Sequence, residues 1–306
     1  TAYNNTIYSN NITTSNTSSY GIYLLKNIFN NTIYDNNITT QNTSSSYGIY
    51  LWQNVNNNTF YRNRISSLAI GILVNGSTNV VGQGTRFNTF INDTIVPCIT
   101  GCASNYQDIV LTANATDITF TNVSFNKSRI AFVALSPNAP VEKNNLTVKW
   151  FLDVNVTKST DNTALQGAEV VINDSFGVNV FTGSTDANGI IPTQTVTEFT
   201  MNGSVQFAAS DTCVGISNIN ITCYTPHNIT VNLSGYYRAF SSSTVSRSKF
   251  VEISLSSISQ ETQKAPSAAV GGGGGGGISI SNQTITFSLN LIKGQEYDIY
   301  IGGKNY

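Results

Sequence analysis

The chain opens with short apolar stretches separated by turns of asparagine and serine, and this pattern occurs twice in nearly the same letters. Residues 4–28 read NNTIYSNNITTSNTSSYGIYLLKNI, and residues 30–55 read NNTIYDNNITTQNTSSSYGIYLWQNV. Each unit holds two or three stretches rich in Ile, Tyr, Phe, Val and Thr, without the 3.6-residue spacing of a helix. The pattern therefore predicts short strands separated by turns.

Apolar positions recur at steps of 26, 27, 30 and 30 residues, which predicts one coil of a parallel β-helix per unit. The first column is Ile7, Ile33, Phe60, Phe90 and Phe120, and the second is Ile12, Ile38, Ile65, Ile95 and Phe125. A glycine column is Gly21, Gly48 and Gly71, and an asparagine column is Asn5, Asn31, Asn58 and Asn88. Stacked coils lie about 4.8 Å apart, so the apolar columns predict an inward core and the asparagines a ladder of turns.

The words NNTIYDNNI and YGIYL, residues 30–38 and 47–51, carry a family resemblance. They resemble the right-handed β-helix repeats of NosD-like and pectate-lyase-like proteins, which are frequent in archaeal surface proteins. The resemblance covers residues 1–135 and implies an all-β, right-handed parallel β-helix. Such helices serve as lyases, adhesins and passive scaffolds, so the resemblance implies little about function.

The pattern changes after residue 135. Residues 136–144 are predicted to be a linker, and residues 145–260 a β-sandwich, because NLTVKWFLDVNVT alternates apolar and polar positions. The words LQGAEVVIND and GSTDANGII resemble carboxypeptidase-regulatory-like and immunoglobulin-like spacer modules. The sequence DANG also suggests calcium, but it lacks the further carboxylates of a calcium loop, and we interpret it as a turn.

Seven consecutive glycines end at Gly277, so residues 261–277 are predicted to be a flexible linker. Residues 278–306 are predicted to be a short C-terminal β segment that is incomplete or is completed by a neighbouring chain. The order of β-helix, β-sandwich, glycine linker and terminal β segment resembles that of archaeal surface proteins with an anchoring C-terminal region. The chain also begins in the middle of its pattern, which we interpret as the mark of a mature or partial chain.

Charged residues make up only 10% of the chain and the net charge is −1. The sequence therefore has no basic stripe for nucleic acid and no electrostatic footprint for a membrane surface. No apolar run approaches the roughly 18 residues of a membrane span. We expect neither kind of partner.

Asparagine is the most informative residue type, with 40 copies, and 20 of them begin an Asn-x-Ser/Thr sequon. This density predicts N-glycosylation and an extracellular, cell-surface location. We expect incomplete occupancy where sequons stack, as at Asn4, Asn30 and Asn57, and fuller occupancy at isolated sites such as Asn145, Asn173 and Asn202. The candidate sites are Asn4, Asn11, Asn16, Asn30, Asn37, Asn42, Asn57, Asn75, Asn92, Asn114, Asn122, Asn126, Asn145, Asn155, Asn173, Asn202, Asn220, Asn228, Asn232 and Asn282.

The four cysteines agree with export. Two local disulfides, Cys98 with Cys102 and Cys213 with Cys223, are the economical pairing. A zinc site is disfavoured because the thiols lack paired CxxC spacing, whereas a long-range pairing stays open.

No residue pattern indicates catalysis, a metal site or a cofactor. His227 stands in YTPHNIT, which predicts a surface loop, and no nucleophile motif accompanies it. Carboxylates in the coils are sparse: Asp35, Asp93, Asp108 and Asp117. We therefore predict a protein that is not an enzyme, and a polysaccharide lyase is the least favoured function.

Two functions fit these observations. The first is a structural subunit of a surface filament or coat, which requires self-association. The alternative is a carbohydrate-binding or cell-adhesion module that contacts a surface polysaccharide through outward aromatic rings. The candidate rings are Tyr3, Tyr8, Tyr20, Tyr34, Tyr47 and Trp52.

Overall fold

The computed structural model describes residues 1–76, 84–133, 144–203 and 221–258, together with the backbone of two short strands near the end of the chain. The chain divides into two compact units, Thr1–Ser259 and Gln260–Tyr306. Within the described residues, regular structure is β apart from a single turn of 3-10 helix, Lys127–Arg129.

The same set of strands recurs coil after coil in the first half of the chain. The first coil contains β1 (Ala2–Tyr3), β2 (Thr6–Tyr8), β3 (Asn11–Thr14) and β4 (Tyr20–Leu25). The second contains β5 (Ile28–Phe29), β6 (Thr32–Tyr34), β7 (Asn37–Thr40) and β8 (Tyr47–Trp52). The third contains β9 (Val55–Asn56), β10 (Thr59–Tyr61), β11 (Arg64–Ser67) and β12 (Ile70–Asn75). The fourth contains β13 (Thr85–Arg86), β14 (Thr89–Ile91), β15 (Thr94–Val96) and β16 (Gln107–Thr112), and the fifth β17 (Ala115–Thr116), β18 (Ile118–Thr121) and β19 (Ile130–Val133).

Equivalent strands pair in parallel and build a β-solenoid of the right-handed type with about five turns. The predicted first column is confirmed, because Ile7, Ile33, Phe60, Phe90 and Phe120 are successive register partners. The second column is confirmed from Ile12 to Ile95, and Phe125 packs against the same core. Sequence spacing therefore identified the core of the solenoid.

The predicted asparagine ladder is also confirmed, and its geometry explains the double asparagines of the repeat. Asn31 Nδ2 donates to Asn58 Oδ1 in the next coil at 2.9 Å and to the carbonyl of Phe29 at 2.9 Å. The preceding residue, Asn30, has a φ of 56° and turns the chain with its side chain outward. In NNT, the first asparagine makes the turn, and the side chain of the second hydrogen-bonds to backbone groups that face the inside of the coil.

A second ladder lies at the next corner, where Asn10, Asn36 and Asn63 are followed by an aspartate. Asn36 Nδ2 donates to Asn63 Oδ1 at 3.0 Å, and Asn63 Nδ2 donates to Asp93 Oδ1 at 2.9 Å. Asp93 therefore occupies the position that an asparagine fills in the earlier coils.

The glycine column allows close packing between neighbouring coils. A Cβ built on Gly21 would lie 2.1 Å from Ile38 Cγ2 and 2.6 Å from the carbonyl oxygen of Gly48. No side chain larger than hydrogen fits there without moving the next coil.

The solenoid continues directly into the following strands through β20 (Asn144–Lys158). Its first part pairs in parallel with β18, with Leu146 opposite Ile118, and its last part pairs in parallel with a later strand, with Leu152 opposite Lys249. Side chains alternate between buried and half-buried along almost its whole length, as the sequence predicts.

Seven more strands complete the first unit. They are β21 (Glu169–Asn173), β22 (Asn179–Ser184), β23 (Gln194–Gly203), β24 (Ile221–Cys223), β25 (His227–Asn232), β26 (Ala239–Ser243) and β27 (Lys249–Leu255). β20 pairs with β23 and β27, whereas β22, β21, β25 and β26 form an antiparallel sheet in that order. One apolar core runs from Ile22 in the solenoid to Leu255 in β27.

In the second unit, the described backbone consists of β28 (Tyr300–Ile301) and β29 (Lys304–Asn305), which pair antiparallel. The predicted linkers at 136–144 and 261–277 lie outside the described residues, apart from Asn144 at the start of β20.

Candidate functional site

The outward side of one solenoid sheet, formed by β4, β8, β12, β16 and β19, carries an unusual set of side chains. Ile22 and Leu24 point into the core, so Tyr23 and Leu25 point outward, and the Tyr20 ring lies on the same outer side, 4.9 Å from the Tyr23 ring. Three columns result, and we call them together the tyrosine face. They are Tyr20–Tyr47–Ile70–Gln107, Tyr23–Tyr50–Leu73–Val110–Ala131 and Leu25–Trp52–Asn75–Thr112–Val133.

The aromatic rings of the tyrosine face stack along the solenoid axis. The ring centroids of Tyr20 and Tyr47 lie 5.5 Å apart, and those of Tyr23 and Tyr50 lie 5.0 Å apart with 15° between their planes. Trp52 stacks beside Tyr50 at 6.2 Å. The parallel register of the strands therefore produces a continuous aromatic ridge at the first two coils.

Next to this ridge lies a groove of about 360 Å³. Tyr47 and Tyr50 form one wall, and aliphatic side chains from later coils form its floor. The lining side chains are all uncharged: Tyr47, Tyr50, Ile70, Leu73, Asn75, Asn105, Gln107, Val110, Thr112, Ala131 and Val133.

Three polar atoms in the lining have no hydrogen-bond partner within the part of the chain that the structure describes. They are Asn75 Oδ1, Gln107 Oε1 and Thr112 Oγ1. Asn75 Nδ2 is used, because it donates to the Tyr50 hydroxyl at 3.3 Å. A buried polar atom without a hydrogen-bond partner lowers the stability of the fold by about 1–3 kcal/mol. Three such atoms in one groove therefore mark it as a candidate binding site.

The tyrosine hydroxyls in this groove are neutral donors and acceptors. Burial raises the pKa of Tyr50 to about 12, and it also raises the pKa of Tyr47. The groove therefore offers aromatic rings and hydroxyls but no charge, and three oxygen acceptors without a partner among the described residues lie in its lining, shielded from solvent.

The six aromatic residues predicted as a sugar-binding surface do not share one face. Tyr20, Tyr47 and Trp52 lie together on the tyrosine face, whereas Tyr8 and Tyr34 stack on the sheet of β2 and β6 at 5.1 Å. Tyr3 stacks on Phe29 in a third sheet. Two further rings of the tyrosine face, Tyr23 and Tyr50, were not predicted, although both follow the repeated glycine at a fixed distance of two residues.

The coil carboxylates occupy separate positions with structural partners. Asp35 forms a salt bridge with Arg62 at 2.7 Å, and hydrogen bonds from Arg62 lower the pKa of that carboxyl. Asp108 accepts from the Tyr106 hydroxyl and from the backbone of Asn126, each at 2.6 Å. Burial raises the pKa of Asp108 in spite of these bonds.

Asp93 is the most perturbed carboxyl of the solenoid. It is 1% exposed, its Oδ1 accepts from Asn63, and its Oδ2 has no partner among the described residues. Burial raises its pKa to about 7, although the hydrogen bonds from Asn63 oppose that shift. Protonation of Asp93 places an O–H at the position where the other coils have an asparagine amide N–H.

The described sequon asparagines are all exposed or half-buried, whereas the ladder asparagines Asn31, Asn36, Asn58, Asn63 and Asn88 are buried. Asn220 and Asn282 lie outside the described residues. The exposed sequon asparagines are Asn4, Asn11, Asn16, Asn30, Asn37, Asn57, Asn92, Asn202, Asn228 and Asn232. The half-buried ones are Asn42, Asn75, Asn114, Asn122, Asn126, Asn145, Asn155 and Asn173.

The structure corrects two of the predictions made from the sequence. His227 is not in a surface loop: it begins strand β25 directly after Pro226, and it is fully buried because the alternation along the strand places it on the same side as Ile229 and Val231. Asn145 and Asn202 are not isolated, since they face one another across β20 and β23.

Cys98 and Cys102 form a disulfide with an S–S distance of 2.06 Å. Cys223 is also disulfide-bonded, whereas its predicted partner Cys213 lies outside the described residues. Asp186 accepts from the backbone of Asn188 and of Ile190, so DANG forms a turn.

Among the described residues, no helix has the length and hydropathy of a membrane span, and no group of three or more His, Cys, Asp or Glu side chains could hold a metal ion. No protein-family model matches the chain, and a search of curated proteins finds no match. The resemblance to β-helix repeat families is thus supported by the solenoid fold alone.

Proposed function

We propose that this chain is a non-catalytic, N-glycosylated extracellular protein whose tyrosine face binds a neutral carbohydrate. The observation that carries this proposal is the groove beside Tyr47 and Tyr50, where aromatic rings meet three unpaired oxygen acceptors. Sugars present a C–H face that packs on aromatic rings and hydroxyls that donate to oxygen acceptors. An uncharged lining favours a neutral sugar over an acidic one.

The remaining parts of the proposal rest on the surroundings of the groove. Outward sequons and inward ladder asparagines favour a glycosylated exterior. Asp35, Asp93 and Asp108 each serve a separate structural contact in the solenoid, which favours binding over catalysis. We also propose that β20–β27 form an immunoglobulin-like β-sandwich that spaces the solenoid from a cell surface.

A glycan array with purified monomer tests the binding. Tyr50→Ala is the test variant, and Tyr34→Ala is the matched control, because Tyr34 also stacks between two rings but lies on another sheet. We expect neutral glycans to be bound, with a loss of about tenfold for Tyr50→Ala and no change for Tyr34→Ala. Equal binding by both variants contradicts the location of the site.

A structural subunit of a filament or coat is the second candidate, and exposed rings of the second half favour it. Phe240 is 70% exposed on β26 and Phe250 is 57% exposed on β27, two strands that belong to different sheets but contact one another. Exposed apolar surface of this kind is typical of protein contacts. Electron microscopy and sedimentation test self-association: polymers that disappear in Phe240→Ser support this role, whereas a monomer at high concentration contradicts it.

A further inference from the structure

Six of the sequon asparagines form three hydrogen-bonded pairs. The pairs are Asn11 with Asn37, Asn92 with Asn122, and Asn145 with Asn202. In each pair the two residues lie in adjacent coils or directly opposite one another on adjacent strands. Neighbouring strands are only about 4.8 Å apart, so two bulky glycans at one pair would occupy the same space.

Each pair is asymmetric in its use of the amide nitrogen, the atom that N-glycosylation modifies. Asn37 Nδ2 donates to Asn11 Oδ1 at 3.1 Å, and Asn122 Nδ2 donates to Asn92 Oδ1 at 2.7 Å. Asn145 Nδ2 likewise donates to Asn202 Oδ1. Within the described part of the chain, the amide nitrogens of the acceptors make no hydrogen bond, and all three acceptors are exposed: Asn11, Asn92 and Asn202.

Hydrogen bonds from the second half of the first unit fix the orientation of one pair. The backbone N–H of Phe151 donates to Ser248 Oγ at 2.9 Å, so the Ser248 hydroxyl is left to donate to Asn122 Oδ1 at 2.7 Å. Both side-chain atoms of Asn122 are therefore engaged, whereas Asn92 uses only its oxygen. Asn122 is also half-buried and Asn92 is exposed.

We propose that each pair accepts a single glycan, and that the glycan is on Asn11, Asn92 and Asn202. This inference rests on the proposal that the chain is N-glycosylated. The transfer forms a bond from Nδ2 to the anomeric carbon of an oligosaccharide and breaks the bond from that carbon to the phosphate of a lipid-linked donor. The Nδ2 proton leaves with the lipid phosphate, and the second N–H remains.

Glycopeptide mass spectrometry of protein secreted from a eukaryotic host tests the pairing. Residues 87–127 form one tryptic peptide that carries Asn92 and Asn122 together with the sequons Asn114 and Asn126. Fragmentation that localises each glycan to its asparagine therefore shows double occupancy of the pair on a single molecule. We expect Asn92 to be occupied at least about fivefold more often than Asn122, and no peptide with both.

Several outcomes overturn the proposal. Peptides occupied at both Asn92 and Asn122, or at Asn122 in preference, exclude the pairing while the glycosylation stands. Glycans on unpaired sequons such as Asn232, with none on Asn11, Asn92 or Asn202, also exclude the pairing while the glycosylation stands. No glycan on any sequon rejects the pairing together with the glycosylation on which it rests.

A pair of serine variants tests the reason for the preference. Ser248→Ala removes the hydroxyl that holds Asn122, and we expect the share of glycan on Asn122 to rise several-fold. Ser246→Ala is the matched control, because the exposed Ser246 side chain makes no hydrogen bond to either asparagine in the described part of the chain, although its carbonyl accepts from Lys127. An unchanged Asn92 to Asn122 ratio in Ser248→Ala contradicts the claim that the hydrogen bond from Ser248 causes the preference for Asn92.

Discussion

The solenoid and the strands that follow it share one apolar core but are stabilised in different ways. In the solenoid, each inward side chain is covered by its equivalents in the neighbouring coils, as Ile33 is by Ile7 and Phe60. In β20–β27, buried polar groups make contacts that occur once, such as the Lys127–Glu198 ion pair at 2.5 Å. Because its contacts repeat at constant spacing, the core of the solenoid can be predicted from the sequence. The packing of the second region depends on single long-range contacts, which have no such spacing.

The largest expected effect is in a solenoid column. Ile33→Asn places an amide without partners between two apolar neighbours, and we expect a loss of about 4 kcal/mol or more in the free energy of unfolding. Tyr34→Asn, one residue later and facing outward, is the control and should cost much less. Denaturant unfolding followed by circular dichroism measures both; similar losses for the two variants contradict the register.

A smaller effect is expected where the two regions meet. Lys127 in the last coil is held by Glu198 of β23, and the Trp150 indole donates to the same carboxylate at 2.5 Å. Glu198→Gln leaves the Lys127 ammonium buried without a counter-charge, so we expect a loss of about 3 kcal/mol.

The double variant Lys127→Met/Glu198→Gln separates the charge from the packing. We expect it to recover part of the loss in a chemical denaturation series, because no charge is then left buried. A double variant less stable than Glu198→Gln alone contradicts the view that the unpaired ammonium causes the loss.

The second ladder is expected to weaken the solenoid as the pH rises from about 4 to about 7. The pKa of Asp93 is about 7 in the folded chain, above its ordinary value, so the folded state binds the proton more tightly than the unfolded state. This contribution to stability is complete below about pH 4 and is lost as the pH rises to about 7. Asp93→Asn restores the amide of the other coils, and we expect it to stabilise the chain by about 2 kcal/mol at pH 8. An unchanged melting temperature at pH 8 contradicts this role.

The strands after the solenoid respond to pH in the opposite direction. His227 is fully buried, neither ring nitrogen has a partner among the described residues, and burial lowers its pKa. Its contribution to stability is present above about pH 6.5 and is lost as the pH falls below that value. We expect His227→Leu to reduce the acid sensitivity by about 1 kcal/mol at pH 5. Identical pH profiles of melting temperature for the variant and the parent contradict this prediction.

The sequence predicted what is repeated and missed what is not. Ile33, Phe60 and Asn31 recur at constant spacing, so the core and the first ladder follow from the spacing of the repeats alone. The groove could not be predicted from the spacing, because Leu73 and Gln107 come from coils whose residues differ from those of the first two repeats.

Contacts between distant residues were equally hidden. Lys127 and Glu198 are 71 residues apart, and no local pattern links them. The burial of His227 was missed because a histidine directly after a proline is typical of a loop. In the structure, strand β25 begins at that histidine. Long-range packing overrides such local signals.

A crystal structure of the protein with a neutral glycan selected on the array tests the central claim most directly. We expect a sugar ring against Tyr47 and Tyr50, with hydroxyls within about 3.2 Å of the unpaired oxygens of Asn75, Gln107 and Thr112. A glycan bound on another face, with those three oxygens still without partners, contradicts the account.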